Sequence, residues 1–421
     1  MGGTMPYAAK DELLGRIGRL HAALCARAPG GWDAAFVMDK VNMLYLASTM
    51  QDGAFVLTRD GSHALFVRSS LERAKGESPL GGIRPMRTYK DVADVIGGSA
   101  KAAFVETESV TYEAVGRLRK YVDIEQVLPL GRVMAGVRAV KSPYELGCME
   151  EAGRLQHGFL TGDLPYMLVE GMSEARLMGA MYARLLELGH QGLIRFSAFQ
   201  SEMPMGQFGF GAGSAYPSSF DGPGGMAGRG PEAQNVGSPD RRLRRGELVF
   251  VDVGFGVRGY QTDKTQVYMF GGKVPPELAE VQGGCVGLQA MTAKGLTPGA
   301  RPSDVYASVM RQVGALAGGE GGGQVGGVTS EFARAAFRDG FMGVKGRGVR
   351  FLGHGVGLHI DELPVIAEGF DDPLVPGMTV AIEPKIGLPG VGTVGVEDTY
   401  VVGDALGARC ITGGGEAIIE I

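Results

Sequence analysis

The chain has 421 residues, 44% of them hydrophobic, and a net charge of −5 with both signs spread along it. That is enough chain for two domains or one large one with ordinary cores. It excludes a polybasic nucleic-acid binder and an acidic interaction arm. No apolar run is long enough to span a bilayer, and the start lacks a basic-then-apolar leader, so a cytoplasmic protein without membrane or nucleic-acid partners is expected. Cys25, Cys148, Cys285 and Cys410 are far apart and form no CxxC pair, which reads as reduced, mostly buried thiols. Gly2 is not expected to be myristoylated, because Pro6 stands where Ser or Thr is needed.

Lys10 to Ala26 is patterned as an amphipathic helix, with Leu13, Ile17, Leu20 and Leu24 on one face. Short apolar runs follow at Ala34–Met38 and Met43–Ala47. A hairpin is expected over Ala54–Thr58 and His63–Val67, turning at Arg59-Asp60-Gly61. A helix near Leu71–Ala74, a strand at Lys101–Glu106 and a helix at Tyr112–Tyr121 complete a self-contained α/β domain. His21 and His63 are isolated in it and read as surface or satisfied histidines.

The junction reads Arg138 to Leu146. Ser142 caps a helix there, Pro143 suits its first position, and Glu145 completes a capping box. A second helix is expected from Ser173 to Gly189, with Leu177, Met181, Leu185 and Leu188 on its apolar face. Phe196 to Asp240 is rich in Gly, Pro and Ser, and so long a stretch without periodicity points to a functional loop system.

Glu247 to Phe270 reads as a strand pair around a glycine run, with Asp252 and Asp263 placed so that antiparallel pairing could set them opposite each other. Two facing carboxylates need a positive partner, either a metal ion or a lysine or arginine. Gly254, Gly256 and Gly259 spell G-x-G-x-x-G, but a strand-like alternation follows rather than the helix a dinucleotide site requires. Pro276–Ala293, Pro302–Leu316 and Glu331–Phe341 read as helices, and Gly318–Gly327 as a flexible loop without a phosphate-binding lysine.

Three strand-like stretches carry the remaining polar chemistry. His354 lies between two glycines, which allow close backbone approach. Glu383 follows the apolar run Val380–Ile382 and precedes Pro384. Glu397 interrupts another β-rich run.

In order and spacing, DVGFGVRGYQTDKT, GHGVGL, IEP and VEDT resemble the motifs of the pita-bread metallopeptidases, the family of methionine aminopeptidase, Xaa-Pro aminopeptidase, prolidase and creatinase. RAVKSPYEL resembles the entry to their catalytic domain. The resemblance covers most of the chain. It implies an α+β fold, with a creatinase-type N-terminal α/β domain over residues 1–137 and a pita-bread catalytic domain over 138–421. Asp252 would chelate one metal, Asp263 and Glu397 would bridge two, and His354 and Glu383 would complete the second site. Such ligands suit divalent Mn, Co, Fe or Zn, and two ions roughly 3.5–4 Å apart generate a bridging hydroxide near neutral pH. Glu383 would also carry the proton, while Thr265 and Thr399 are either hydrogen bonders to ligand carboxylates or ordinary strand threonines. The implied activity is hydrolysis of short peptides by an aminopeptidase or dipeptidase of Xaa-Pro type, in a homodimer whose N-terminal domain shapes the active-site mouth.

The pattern departs from the family at two substrate histidines. No histidine occurs between His190 and His354, and the loop concerned reads Tyr216 to Pro223. The second position is Asp361, with His359 two residues earlier. If the segment is a strand, both point to one side, roughly 6.5–7 Å apart. His359 then either faces the same cleft from a shifted place or is a rim residue. Because the loop Tyr216–Pro223 and the segment His359–Glu362 align with the lost positions, His359 and Asp361, as catalytic residues, and Tyr216 are expected to line the cleft. The altered wall leaves two alternatives: an enzyme of the same fold acting on a non-peptide small molecule, or a binding protein that has lost catalysis. Retention of all five ligand types argues against the second.

Overall fold

A computed structural model describes residues 7–198, 201, 203–319, 325–415 and 417–421. Gly2, Pro6 and the middle of the Gly318–Gly327 loop lie outside the described residues, as do three positions of the Phe196–Asp240 loop system. The chain divides into two compact units, Met1–Arg138 and Ala139–Ile421.

The first unit is built on a six-stranded sheet in the order Ile83–Pro85, His63–Val67, Gly53–Thr58, Ala34–Val37, Ser99–Val105, Asp123–Pro129. The two pairings made by Gly53–Thr58 are antiparallel and the other three are parallel. Phe36, Phe66, Val105 and Ile124 bury one face of this sheet. The Met43–Ala47 run belongs to a helix, Lys40–Ala47, because the Asp39 carboxylate accepts from the backbone N–H of Val41 and Asn42 and starts it. Tyr89–Ile96 is a further helix behind a Thr88/Asp91 capping box, a signal present in the sequence but masked by the short apolar period.

The second unit opens as expected. Ser142 Oγ accepts from Glu145 N, Glu145 Oε2 accepts from Ser142 N, and the helix Pro143–Gly158 follows. That helix clamps the central hairpin through Gln156: its Nε2 donates to Val253 O, and Thr262 Oγ1 donates to its Oε1 at 2.7 Å. The hairpin itself, Glu247–Val257 and Tyr260–Phe270, turns at Arg258 (φ 50°) and Gly259 (φ 85°). Two left-handed residues make the two-residue turn whose twist matches the strands. The G-x-G-x-x-G run is thus spent on a hairpin, with no helix after it to receive a pyrophosphate.

This hairpin lies in a four-stranded sheet with Gly206–Phe210 and the terminal strand Ile419–Glu420. A five-stranded sheet holds Glu362–Ala367, Phe351–Gly355, Thr379–Ile382, Asp398–Asp404 and Gly407–Cys410 in that order. A third sheet pairs Lys385–Leu388 with Gly392–Gly395. Helices Pro276–Gly295, Pro302–Gly318 and Glu331–Gly340 pack Val281, Leu288, Val309 and Phe337 into a core with residues of all three sheets. A second core, around Phe159, Leu177, Met181 and Phe208, fills the side of the hairpin covered by Pro143–Gly158 and Glu174–Glu187. The Phe196–Asp240 stretch is less irregular than its composition suggests, since Gly206–Phe210 is recruited as a partner strand for Glu247–Val257.

Candidate metal centre

Asp252 and Asp263 are not directly opposite each other. Asp252 pairs with Thr265, and Asp263 with Gly254. Both aspartates and Thr265 nonetheless share one face, because positions two apart on a strand point the same way. The aspartates are diagonal neighbours on it, within reach of a common cation.

His354 reaches the same place from Phe351–Gly355, which pairs with Thr379–Ile382 through Gly353, His354 and Gly355. Glycine is needed on either side. A Cβ on Gly353 would stand 2.1 Å from Ala381 O, and one on Gly355 2.2 Å from Leu363 O. Glu383 is the first residue past Thr379–Ile382, and Glu397 the last before Asp398–Asp404. Glu397 is tied to the hairpin, since its backbone bridges Thr265 and its Oε2 accepts from Thr265 Oγ1 at 3.2 Å. Thr399 works differently from Thr265. Its hydroxyl accepts from Asp263 N at 2.8 Å and donates to Asp263 O at 3.0 Å, fixing the backbone rather than the carboxylate.

The five residues meet. His354 Nε2 is 3.4 Å from Glu383 Oε1 and 3.7 Å from Glu397 Oε1. One ligand atom each from Asp263, His354 and Glu397 lie within 4.8 Å of one another. His354 Nδ1 faces Gly355 O at 3.2 Å, which leaves Nε2 pointed at the carboxylates. Glu397 Oε1 is buried and has no hydrogen-bond partner. An unpartnered, desolvated carboxylate oxygen beside an imidazole nitrogen and an aspartate fits a divalent ion.

Sequence reasoning missed one member of this centre, Lys385. Its ammonium, with the side chain fully buried, donates to Asp252 Oδ2 at 2.9 Å, Glu383 Oε2 at 2.9 Å and Glu397 Oε2 at 2.5 Å. The available signal was its spacing: Lys385 is two residues beyond Glu383, and a strand-like spacing of two turns both side chains to one side.

The local field follows from these neighbours. Burial raises Asp252 to about 7, with Lys385 pulling it down and Glu397 pushing it up. Burial likewise lifts Asp263 well above the usual carboxylate range, helped by Glu397 and Asp252. Burial alone would lower His354, but the hydrogen bond and charge of Glu383, with the charges of Glu397 and Asp263, raise it to about 10. Burial also works against the charge on Lys385, and Asp252, Glu383 and Glu397 more than reverse it. The centre as a whole demands positive charge.

The expected substrate wall needs correction in its conformation. Residues 356–361 form a bend, not a strand, so the alternation assumed for His359 and Asp361 does not hold. Asp361 accepts from Ser197 N (2.6 Å), Ser197 Oγ (2.9 Å) and Ala198 N (3.4 Å), pinning that loop. Glu362 is tied to Lys141 at 3.1 Å and accepts from His359 N at 3.0 Å. Tyr216 is 62% exposed, while Ser218 in the same loop is buried and accepts from Gln207 Nε2.

Residues 147–404 match the model of metallopeptidase family M24, and residues 16–140 match the creatinase/prolidase N-terminal domain. The chain is 22% identical to an Xaa-Pro dipeptidase of Pyrococcus furiosus, over 90% of this chain and 93% of that one. It is 27% identical to a probable dipeptidase PepE of Mycobacterium bovis, over 75% of this chain and 69% of the relative. Among solved structures, the prolidase of Pyrococcus horikoshii OT3 superposes with a TM-score of 0.72 at 20% identity, covering 95% of this chain and 98% of that one. Dipeptidase PepE of Mycobacterium ulcerans gives 0.73 at 24% identity, covering 97% and 99%.

Proposed function

The chain belongs to metallopeptidase family M24, with a creatinase-type N-terminal domain and a pita-bread catalytic domain, and on that premise we propose that it hydrolyses short peptides at the bond preceding proline. The observation that carries this is the convergence of Asp252, Asp263, His354, Glu383 and Glu397 on one buried, carboxylate-rich centre. Relatives named Xaa-Pro dipeptidase, alike over about the whole chain, supply the substrate class.

Asp263, His354 and Glu397 are the residues that would hold a divalent ion, and their oxygen-rich set with one imidazole suits Mn, Co, Fe or Zn. Bound there, such an ion supplies Lewis-acid polarisation of a carbonyl and acidifies water. Glu383 is the proton carrier: one of its oxygens is anchored by Lys385 and the other faces His354. Thr265 fixes the rotamer of Glu397. Asp361 holds residues 197 and 198, so in this reading it fixes that loop, while His359 is the residue beside the substrate.

Xaa-Pro dipeptides and matched dipeptides without proline, assayed with metal-loaded protein, test the reading. Preferential hydrolysis of Xaa-Pro is expected, with Asp361→Ala slowing turnover at unchanged metal content. Absence of any peptide hydrolysis would shift the assignment to a non-peptide small molecule. That second reading is favoured by the altered wall, where Asp361 is spent on loop contacts and Tyr216 is exposed. Among the described residues no helix is long and apolar enough to cross a membrane, and the working form proposed is a cytoplasmic homodimer. A monomer by light scattering at micromolar concentration would overturn the oligomeric part.

A further inference from the structure

Three carboxylates of the centre converge on one nitrogen. The Lys385 ammonium has three N–H donors, and Asp252, Glu383 and Glu397 each take one. One ligand atom each from Asp263, His354 and Glu397 gathers in an overlapping group, which Glu383 Oε1 approaches at 3.4 Å from His354 Nε2. Glu397 belongs to both groups, with Oε2 on Lys385 and the unpartnered Oε1 toward His354.

The lysine is held there by the fold. Lys385 begins a strand and pairs with Gly395, and its carbonyl accepts from Met342 N at 2.8 Å. A Cβ on Gly395 would stand 3.1 Å from Lys385 Cγ, so the glycine leaves room for the stem. Its side chain is fully buried, and withdrawing it would strand an ammonium in a dry interior.

We propose that Lys385 is a permanent cation of this centre, standing where M24 enzymes hold one of two divalent ions, so that this chain binds a single ion between Asp263, His354 and Glu397. Asp252 then serves the lysine rather than a metal, and Glu397 bridges an ammonium and an ion instead of two ions. Asp252 Oδ2, Glu383 Oε2 and Glu397 Oε2 are all taken by the ammonium, so a second divalent ion beside Asp252 would have to displace it.

The inference rests on the metal-hydrolase reading above, and metal stoichiometry separates the two. Purified full-length protein is stripped with chelator, titrated calorimetrically with Mn2+ and, after desalting, assayed for bound metal by mass spectrometry. About one equivalent is expected in the wild type and about two in Lys385→Gly. Asp252→Asn is expected to keep its single ion, and Asp263→Asn to lose it. Two equivalents in the wild type would overturn the lysine assignment and leave the hydrolase reading standing. No bound metal would overturn both. The wild-type count decides the matter even if Lys385→Gly fails to fold.

Discussion

The two faces of the central hairpin use the same kinds of residue to opposite ends. On one face Lys264 pairs with Asp398 at 2.7 Å, both side chains fully buried. The polar atoms of the pair itself all have company: Lys264 also donates to Gly414 O, and Asp398 accepts from Thr412 Oγ1 and Gln289 Nε2. On the other face one lysine meets three carboxylates, a fourth stands nearby, and an oxygen of Glu397 is left without a partner. A buried ion pair that balances is a fastening. A buried cluster in which carboxylates outnumber cations is a receptor for positive charge. Residues adjacent in sequence, Asp263 and Lys264 or Glu397 and Asp398, fall on different sides of that division because strands alternate.

Substitutions that exchange the roles of the two faces probe the contrast. The largest effect is expected for Asp263→Ala, which should abolish bound metal and hydrolysis together while the protein still melts cooperatively, as read by metal analysis and calorimetry. On the fastening face, Lys264→Met or Asp398→Leu alone should cost about 3–5 kcal/mol in denaturant unfolding, because each strands a buried charge. The double variant should cost less than either single one, and equal or additive costs would show that the pair is more than a fastening. Thr265→Val should weaken metal affinity about 10–100-fold with little change in stability, the pattern of a residue that orients a ligand. The smallest effect lies at the hairpin's turn end, where Gly256 N donates to His190 Nδ1 and burial lowers His190 to about 4. A histidine kept neutral in the fold favours folding fully above its unfolded value of about 6.5. That contribution is lost as pH falls through about 4, so His190→Gln should flatten the acid limb of a stability–pH curve.

Much of this was legible in the sequence. Asp252, His354, Glu383 and Glu397 each end or break an apolar β-run, where a polar residue needs a reason, and glycines beside His354 announce a close approach. The capping box at Ser142 and Glu145 fixes the start of Pro143–Gly158 on local chemistry alone. Lys385 is not legible in the same way, because its meaning depends on register and on which sheet follows Pro384, neither of which is local. Alternation places His359 and Asp361 on a strand, but the chain bends at 356–361. The diagonal offset of Asp252 and Asp263 was hidden for a related reason: the length of the turn at Arg258 and Gly259 decides the pairing.

The pairing of Lys385 with Asp252 joins residues 133 positions apart, and Thr265 meets Glu397 across 132. A growing chain therefore presents the aspartates of the hairpin long before their counter-charges leave the ribosome. Until then the hairpin cannot bury that face without a large electrostatic cost, so the centre is completed late and by contacts of high order, which makes its assembly slow. The full set of charges exists only once Glu397 has joined the hairpin, so the centre belongs to the folded catalytic unit and not to any one segment of it.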